Sequence, residues 1–134
     1  MRIYLASPLS NAILNADLAR RLEARGWDCF LPQRDAVQSD AKNNVVARNI
    51  KAIQSADLIV LVTEGLGIDT AWEVGFATAL GKPVIMLEDK NDAIRRSHMI
   101  RIGSSGHIVR DYPSLERLIS KMEQHDELGV ALPR

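Results

Sequence analysis

The stretch from Asp57 to Leu87, DLIVLVTEGLGIDTAWEVGFATALGKPVIML, decides the fold. It opens on Leu58–Val62, an uninterrupted apolar run in which Ile59, Val60 and Val62 are β-branched, as in a strand covered on both faces. Thr63 to Ile68 follows as a glycine-containing loop. Asp69 can cap a helix over Thr70–Leu80, which Gly81 closes. Lys82-Pro83 then leads into a second buried strand, Val84–Leu87. Strand, helix and strand in that order predict parallel neighbours joined by a right-handed crossover.

The same alternation continues on both sides. Upstream, Arg2–Ala6 reads as a buried strand ended by Ser7-Pro8. Ser10 can cap a helix to about Arg25, with Ile13, Leu14, Leu18 and Leu22 at helical spacing and Gly26 as its stop. Trp27–Leu31 is a strand ended by Pro32, and Gln33–Asn43 a loop or helix lead-in. Asn44–Ser55 is a helix with Val45, Val46, Ile50 and Ile53 on one face. Downstream, Glu88–Ile102 is polar and reads as a loop with a short helix, His107–Val109 as a fifth strand. Pro113 can open a last helix over Ser114–Gln124, and the tail after His125 reads as loose. Five alternations predict a single α/β domain over residues 1–134, a doubly wound parallel sheet of flavodoxin-like order 2-1-3-4-5. There is no internal repeat, linker or low-complexity segment.

Composition narrows the class. Apolar residues at 46% and charged residues at 25% belong to a globular chain with a real core, not a disordered one. Seventeen basic against seventeen acidic residues give zero formal charge, which argues against a nucleic-acid-binding protein. The single cysteine, Cys29, sits in an apolar run and reads as a buried, inert thiol, so no intramolecular disulfide is expected. The amino terminus lacks a signal-peptide pattern and no run reaches membrane-span length, which predicts a cytoplasmic protein. His98, His107 and His125 have no spacing partner for a metal, and neither a phosphate-loop lysine motif nor a dinucleotide fingerprint is present. No cofactor and no metal are expected.

In a sheet of this kind the ligand lies beyond the carboxyl ends of the strands. The loops to search are Ser7–Ser10, Thr63–Asp69 and the polar stretch after Leu87. Glu73 falls in the first turn of its predicted helix, where the dipole and free amides favour an ionised carboxylate. A carboxylate beside an anomeric carbon can stabilise an oxocarbenium-like transition state or form a covalent glycosyl intermediate. On spacing alone, Glu73 reads first as an ordinary solvated first-turn acid. Asp57, at the start of a buried strand, reads as structural and bonded to nearby backbone.

The segment DTAWEVGFATALGKPVI, 69–85, resembles the signature of the nucleoside 2-deoxyribosyltransferase family, which includes the 2'-deoxynucleoside 5'-phosphate N-hydrolases. IYLASPL at 3–9, FLPQRD at 30–35, NIKAIQSADLIVLV at 49–62 and SHMI at 97–100 resemble further family segments in the same order, so the likeness spans roughly residues 1–122. It implies that Glu73 is the nucleophile that attacks the sugar. It implies that Tyr4 orients this glutamate through one hydrogen bond; read without it, Tyr4 is a strand tyrosine filling the core. Ala6, Ser7 and Pro8 are implied to border the substrate. Ser97 and Met99 are implied to reach the site of a neighbouring subunit, making the partners a nucleoside or nucleotide, a free base and a second copy of the chain. Gly75 and Ala77 read as small residues that let the helix pack closely on the sheet.

Three positions depart from the family pattern. Asn49 stands where relatives carry an aspartate that helps protonate the leaving base, and an amide cannot be a general acid. Either Asn49 only positions the substrate or another group supplies the proton; Asp69 is the candidate, being otherwise a helix cap. Gly67 stands where relatives place an acid or a phosphate-binding serine for the 5' group, and Ser10 where the hydrolases carry an arginine. The loop Ser7–Ser10 has no cation but can offer backbone amides to a phosphate, while Arg95, Arg96 and Arg101 flank Ser97 and read as a solvated basic face or a charge for the 5' group. The resemblance implies transfer of a 2-deoxyribosyl group to another base. Its alternatives are a hydrolase passing the glycosyl group of a 5'-monophosphate to water and a hydrolase acting on a ribonucleotide or dinucleotide. Asn49 adds a third, a non-catalytic nucleotide-binding sensor.

Overall fold

The computed structural model describes residues 1–36, 41–88, 97–103 and 107–127. The elements run β1 (Arg2–Ala6), a 3-10 turn (Leu9–Asn11), α1 (Ala12–Glu23), β2 (Asp28–Phe30), α2 (Pro32–Asp35), α3 (Lys42–Ser55), β3 (Leu58–Val62), α4 (Ile68–Ala79), β4 (Val84–Leu87), α5 (His98–Gly103), β5 (His107–Val109) and α6 (Tyr112–Glu127). All strand pairs are parallel, in the predicted order β2-β1-β3-β4-β5. Among the described residues no helix is long and apolar enough to cross a membrane.

Successive strand residues face opposite sides of the sheet. Ile3, Leu5, Leu58, Val60 and Val62 pack with Leu18 and Leu22 of α1 and with Leu115, Ile119 and Met122 of α6. Tyr4, Ala6, Ile59, Leu61, Val84 and Met86 face Ile53 of α3 and Val74 and Ala77 of α4. Both faces of the central strands are therefore buried, which is why β1, β3 and β4 are apolar without alternation. This parity also puts the Tyr4 side chain on the α4 side of the sheet. Ile59 is fully buried at the middle of β3. Ile59→Ala is expected to cost about 3 kcal/mol of unfolding free energy, seen as a lower urea midpoint at unchanged slope.

Several local expectations are corrected. The first helix begins at Ala12, not after Ser10, which lies inside the 3-10 turn. Ile13 is 89% exposed, because the buried face of α1 is Asn15, Leu18, Ala19 and Leu22. On α3 only Ile53 of the predicted apolar face is buried; Val46 is 54% exposed, and Val45 and Ile50 are half-buried. Gly67, extended at the amino end of α4, takes the cap position without a side-chain bond, so Asp69 lies inside the first turn and is not a cap. Gly75 is exposed and a Cβ there would meet nothing within 4 Å, so close packing rests on Ala77 alone. The last helix runs on to Glu127, past the predicted start of the tail; residues 128–134 lie outside the described residues. So does most of the expected loop after Leu87.

Asp57 accepts a hydrogen bond from the Arg2 backbone N–H at 2.7 Å, the structural role read for it. Cys29 is buried, and desolvation pushes its thiol up to about 12, with the charge of Glu23 adding to the effect. It stays an unreactive thiol at neutral pH.

Candidate active site

A cavity of about 970 Å³ opens where the chain leaves β1 and β3 and enters α4. Its walls come from the loop after β1 (Ser7, Pro8), from the exposed side of α3 (Asn49) and from the start of α4 (Gly67, Asp69, Glu73). These six predicted residues are brought together by the parallel topology, which places the ends of β1 and β3 side by side. Tyr4 lies in the core outside the cavity lining, and its hydroxyl donates to Glu73 Oε1 at 3.0 Å. The Tyr4 ring is fully buried and stacks on Phe30, with centroids 5.6 Å apart and planes 10° apart. The core-filling and glutamate-orienting readings of Tyr4 thus describe the same side chain. Burial, with the Glu73 charge and bond adding to it, pushes the phenol well above its ordinary range, so it remains a donor.

Since α4 begins at Ile68, Glu73 lies in its second turn, one turn beyond the free amides. The expected first-turn stabilisation of the carboxylate is replaced by a different balance. Burial pushes the Glu73 carboxyl up, the bond from Tyr4 opposes this, and the nearby Asp69 charge adds to the rise, leaving it at about 7. A carboxylate poised there is largely desolvated yet available in its charged form near neutral pH. Among the described residues Oε2 of Glu73 accepts no hydrogen bond, so one carboxylate oxygen is held by Tyr4 and the other is free to react.

Asp69 is exposed on the cavity wall, one turn before Glu73 on the same helix face. The carbonyl oxygen of Asn49 is buried and has no hydrogen-bond partner. A buried carbonyl oxygen left unpaired is unfavourable, whereas the residue as a whole still contributes to the cavity wall.

Other predicted residues are not gathered here. The methyl of Ala6 is in the core beneath the cavity rather than in its wall. Ser97 and Met99 sit at the start of α5, which packs on α4, and neither lines this protomer's cavity; Met99 is 82% exposed. Ser97 Oγ accepts the Ile100 N–H at 3.4 Å. Arg101 is tied to a buried acid rather than lying on a solvated basic face. Its guanidinium bonds Glu88 Oε1 at 3.1 Å, and Arg110 reaches Glu88 Oε2 at 3.4 Å. The Glu88 side chain is fully buried at the end of β4, so these arginines answer its charge. Arg95 and Arg96 lie outside the described residues. Among the described residues there is no group of three or more histidine, cysteine, aspartate or glutamate side chains able to hold a metal.

Sequence reasoning missed the apolar wall. Leu9, Val46, Ile68 and Trp72 are four of the chain's exposed large apolar side chains, and all line this cavity. Trp72 is fixed by stacking on Phe76 at 5.3 Å and 17°. The available signal was Ile68 and Trp72 on either side of Asp69, at a helix start with no need for apolar surface. An apolar wall facing a few convergent polar groups is the usual build of a small-molecule site.

The family model for nucleoside 2-deoxyribosyltransferase matches residues 3–127. Among solved structures, the chain is similar to a 2-deoxyribosyltransferase from Bacillus psychrosaccharolyticus, at 24% identity and TM-score 0.70, covering 87% of this chain and 90% of that one. It is similar to a CMP N-glycosidase from Clostridium botulinum, at 22% identity and TM-score 0.65, covering 93% and 99%. It is also similar to a 2-deoxyribosyltransferase from Leishmania mexicana, at 14% identity and TM-score 0.68, covering 90% and 97%. At these identities the likeness to solved structures establishes the fold. No curated protein sequence matches the chain.

Proposed function

The chain belongs to the nucleoside 2-deoxyribosyltransferase family, and from that premise we propose that it cleaves the N-glycosidic bond of a deoxynucleoside and transfers the 2-deoxyribosyl group to a second base. The observation that carries this reading is that Glu73, on the cavity wall, is held from the core by Tyr4, 3.0 Å from hydroxyl to carboxylate. Glu73 Oε2 attacks the anomeric carbon as the carbon–nitrogen bond breaks and its electron pair leaves with the base. The leaving base takes up a proton, for which Asp69 is the candidate donor, since Asn49 has none of the required acidity. A second base then attacks the same carbon and returns its N–H proton to Asp69 as the glutamyl–sugar bond breaks and the Glu73 carboxylate is regenerated. Asn49, on the cavity wall, serves as a positioning contact for the bound nucleoside. Asn49→Ala is therefore expected to raise KM about tenfold with little change in kcat.

Charge favours a neutral substrate. The ionisable groups among the described residues of the cavity wall are Asp69 and Glu73, both acids. With no cation among the described wall residues and the charged Glu73 carboxylate facing the ligand, an uncharged nucleoside fits better than its monophosphate. The smallest active unit is proposed to be a dimer in which Ser97 and Met99 complete a neighbour's cavity. The exposed apolar side chains of Leu80, just past α4, and Met99, on α5, support a covered face outside the cavity, and specific activity is expected to fall on dilution.

The test is a panel of deoxynucleosides, their 5'-monophosphates and the matching ribo-compounds, each incubated with and without a second free base. Base exchange with neutral deoxynucleosides is expected. Base release without exchange, strongest for monophosphates, would favour a hydrolase, and binding without turnover a sensor.

A further inference from the structure

Two asparagines, Asn11 at the cap position before α1 and Asn15 in its first turn, join the loops that wall the cavity. Asn11 Nδ2 donates to the Glu64 carbonyl at 2.6 Å and reaches Ser7 Oγ at 3.4 Å. Asn15 Nδ2 donates to the Pro8 carbonyl and to Gln33 Oε1, both at 3.1 Å. Gln33 in turn donates through Nε2 to the Ala12 carbonyl at 2.9 Å. Backbone carbonyls can only accept, so the orientation of both asparagine amides is fixed by chemistry.

The bonds connect three separate connections beyond the strands, the second of which begins with the one-turn helix α2. Ser7 and Pro8 follow β1, Gln33 lies in α2 after β2, and Glu64 follows β3. Each loop contributes to the cavity: Ser7, Pro8 and Leu9 from the first, Pro32 from the second, Gly67 from the third. Asn15 is 2% exposed, so its bonds are made away from competing water. Gly65, at φ +64°, turns the third loop back against α1; a Cβ there would lie 3.8 Å from Ser10 Oγ and 3.9 Å from Asn11 Oδ1.

We propose that Asn11 and Asn15 are positioning residues of the candidate active site, a two-amide latch that holds the loops after β1, β2 and β3 in one arrangement around Glu73. Neither residue lines the cavity. Their effect on substrate passes through Ser7 and the apolar wall. Ser7 Oγ accepts from Asn11, which leaves the Ser7 hydroxyl hydrogen free to be donated to a ligand acceptor.

The substrate side of this proposal rests on the deoxynucleoside reading above; the latch itself does not. Asn11→Asp and Asn15→Asp keep the side-chain shape but leave no donor for a carbonyl. In either variant, hydrogen exchange of backbone amides in all three loops is expected to quicken about tenfold, with β1 and β3 unchanged. The deoxynucleoside KM is expected to rise about tenfold while kcat stays within about threefold. Asn11→Gln, which retains the donor, is expected to stay near the parent protein in both measurements. A merely structural role would lower the melting temperature and leave KM alone well below it. Faster exchange confined to the loop nearest the substituted residue, or an unchanged KM, would overturn the proposal. If Asn15→Asp fails to fold, Asn11→Asp, at a half-buried position, carries the test. If the parent protein turns over no nucleoside, the functional reading falls while the exchange result still decides the latch.

Discussion

Glu73→Gln is expected to reduce turnover at least about 10³-fold and, at pH 8, to make the folded protein more stable. The first effect follows from the loss of the attacking oxygen, since an amide cannot form or release a glycosyl bond in the same way. The second follows from burial. The Glu73 carboxyl moves from an ordinary value of 4.5 to about 7 in the folded chain. Between those values the folded state holds a proton that the unfolded chain has already released. Stability is thus lost as the pH rises through that window, and the loss is complete above about 7. At 1.36 kcal/mol per pH unit this amounts to a few kcal/mol at most. Glutamine removes the charge and still offers an acceptor to the Tyr4 hydroxyl, so the buried phenol is not orphaned. Urea midpoints of the two proteins are expected to converge near pH 4.5 and to separate by pH 8, glutamine being higher. Equal midpoints at pH 8 would show that Glu73 carries no burial cost.

Tyr4→Phe is expected to lower kcat about 10- to 100-fold, the worth of one hydrogen bond to a charged group. It should also change the pH profile. The Tyr4 bond lowers the Glu73 pKa against the larger effect of burial. Without it the carboxyl rises further, so the acid limb of the kcat profile moves to higher pH than in the parent protein. Phenylalanine fills the same space against Phe30, so the stack and the core face persist. Unchanged kcat and an unmoved limb would reduce Tyr4 to a core aromatic.

The parts of the fold visible in sequence are those where one periodicity decides. Leu58–Val62 and Val84–Leu87 are buried on both faces, and only a central parallel strand demands such a run. Once those strands and their crossovers are placed, the order follows, and with it the side of the sheet on which Tyr4 and Glu73 meet. Details that depend on neighbours were not legible. Ile13 has the same spacing as a core residue, but Asn15 takes the buried place because its amide is needed between two loops. Val46 on α3 matches a core face and instead forms a cavity wall. Asp69 has the composition of a cap, yet Gly67 already occupies that position.

The site divides in the same way. Glu73 and Tyr4 were found because a family signature marks them, and helix position alone would have misjudged their electrostatics. Placing Glu73 in the second turn removes the dipole argument and substitutes desolvation, with the opposite sign. Arg101 looked like a free cation beside Ser97, but its partner Glu88 lies across the fold at the end of β4, and no local pattern announces that pairing. Asn11 and Asn15 look like polar helix residues in sequence; their role is visible only when three loops converge on them.

The covalent role of Glu73 is tested most directly by acid-quenching the protein during reaction with a deoxynucleoside and no acceptor base, then measuring its mass. A gain of one deoxyribosyl residue, located on the peptide that contains Glu73 and absent from Glu73→Gln, is the expected result. A sugar adduct on any other residue, or turnover undiminished in Glu73→Gln, would contradict it.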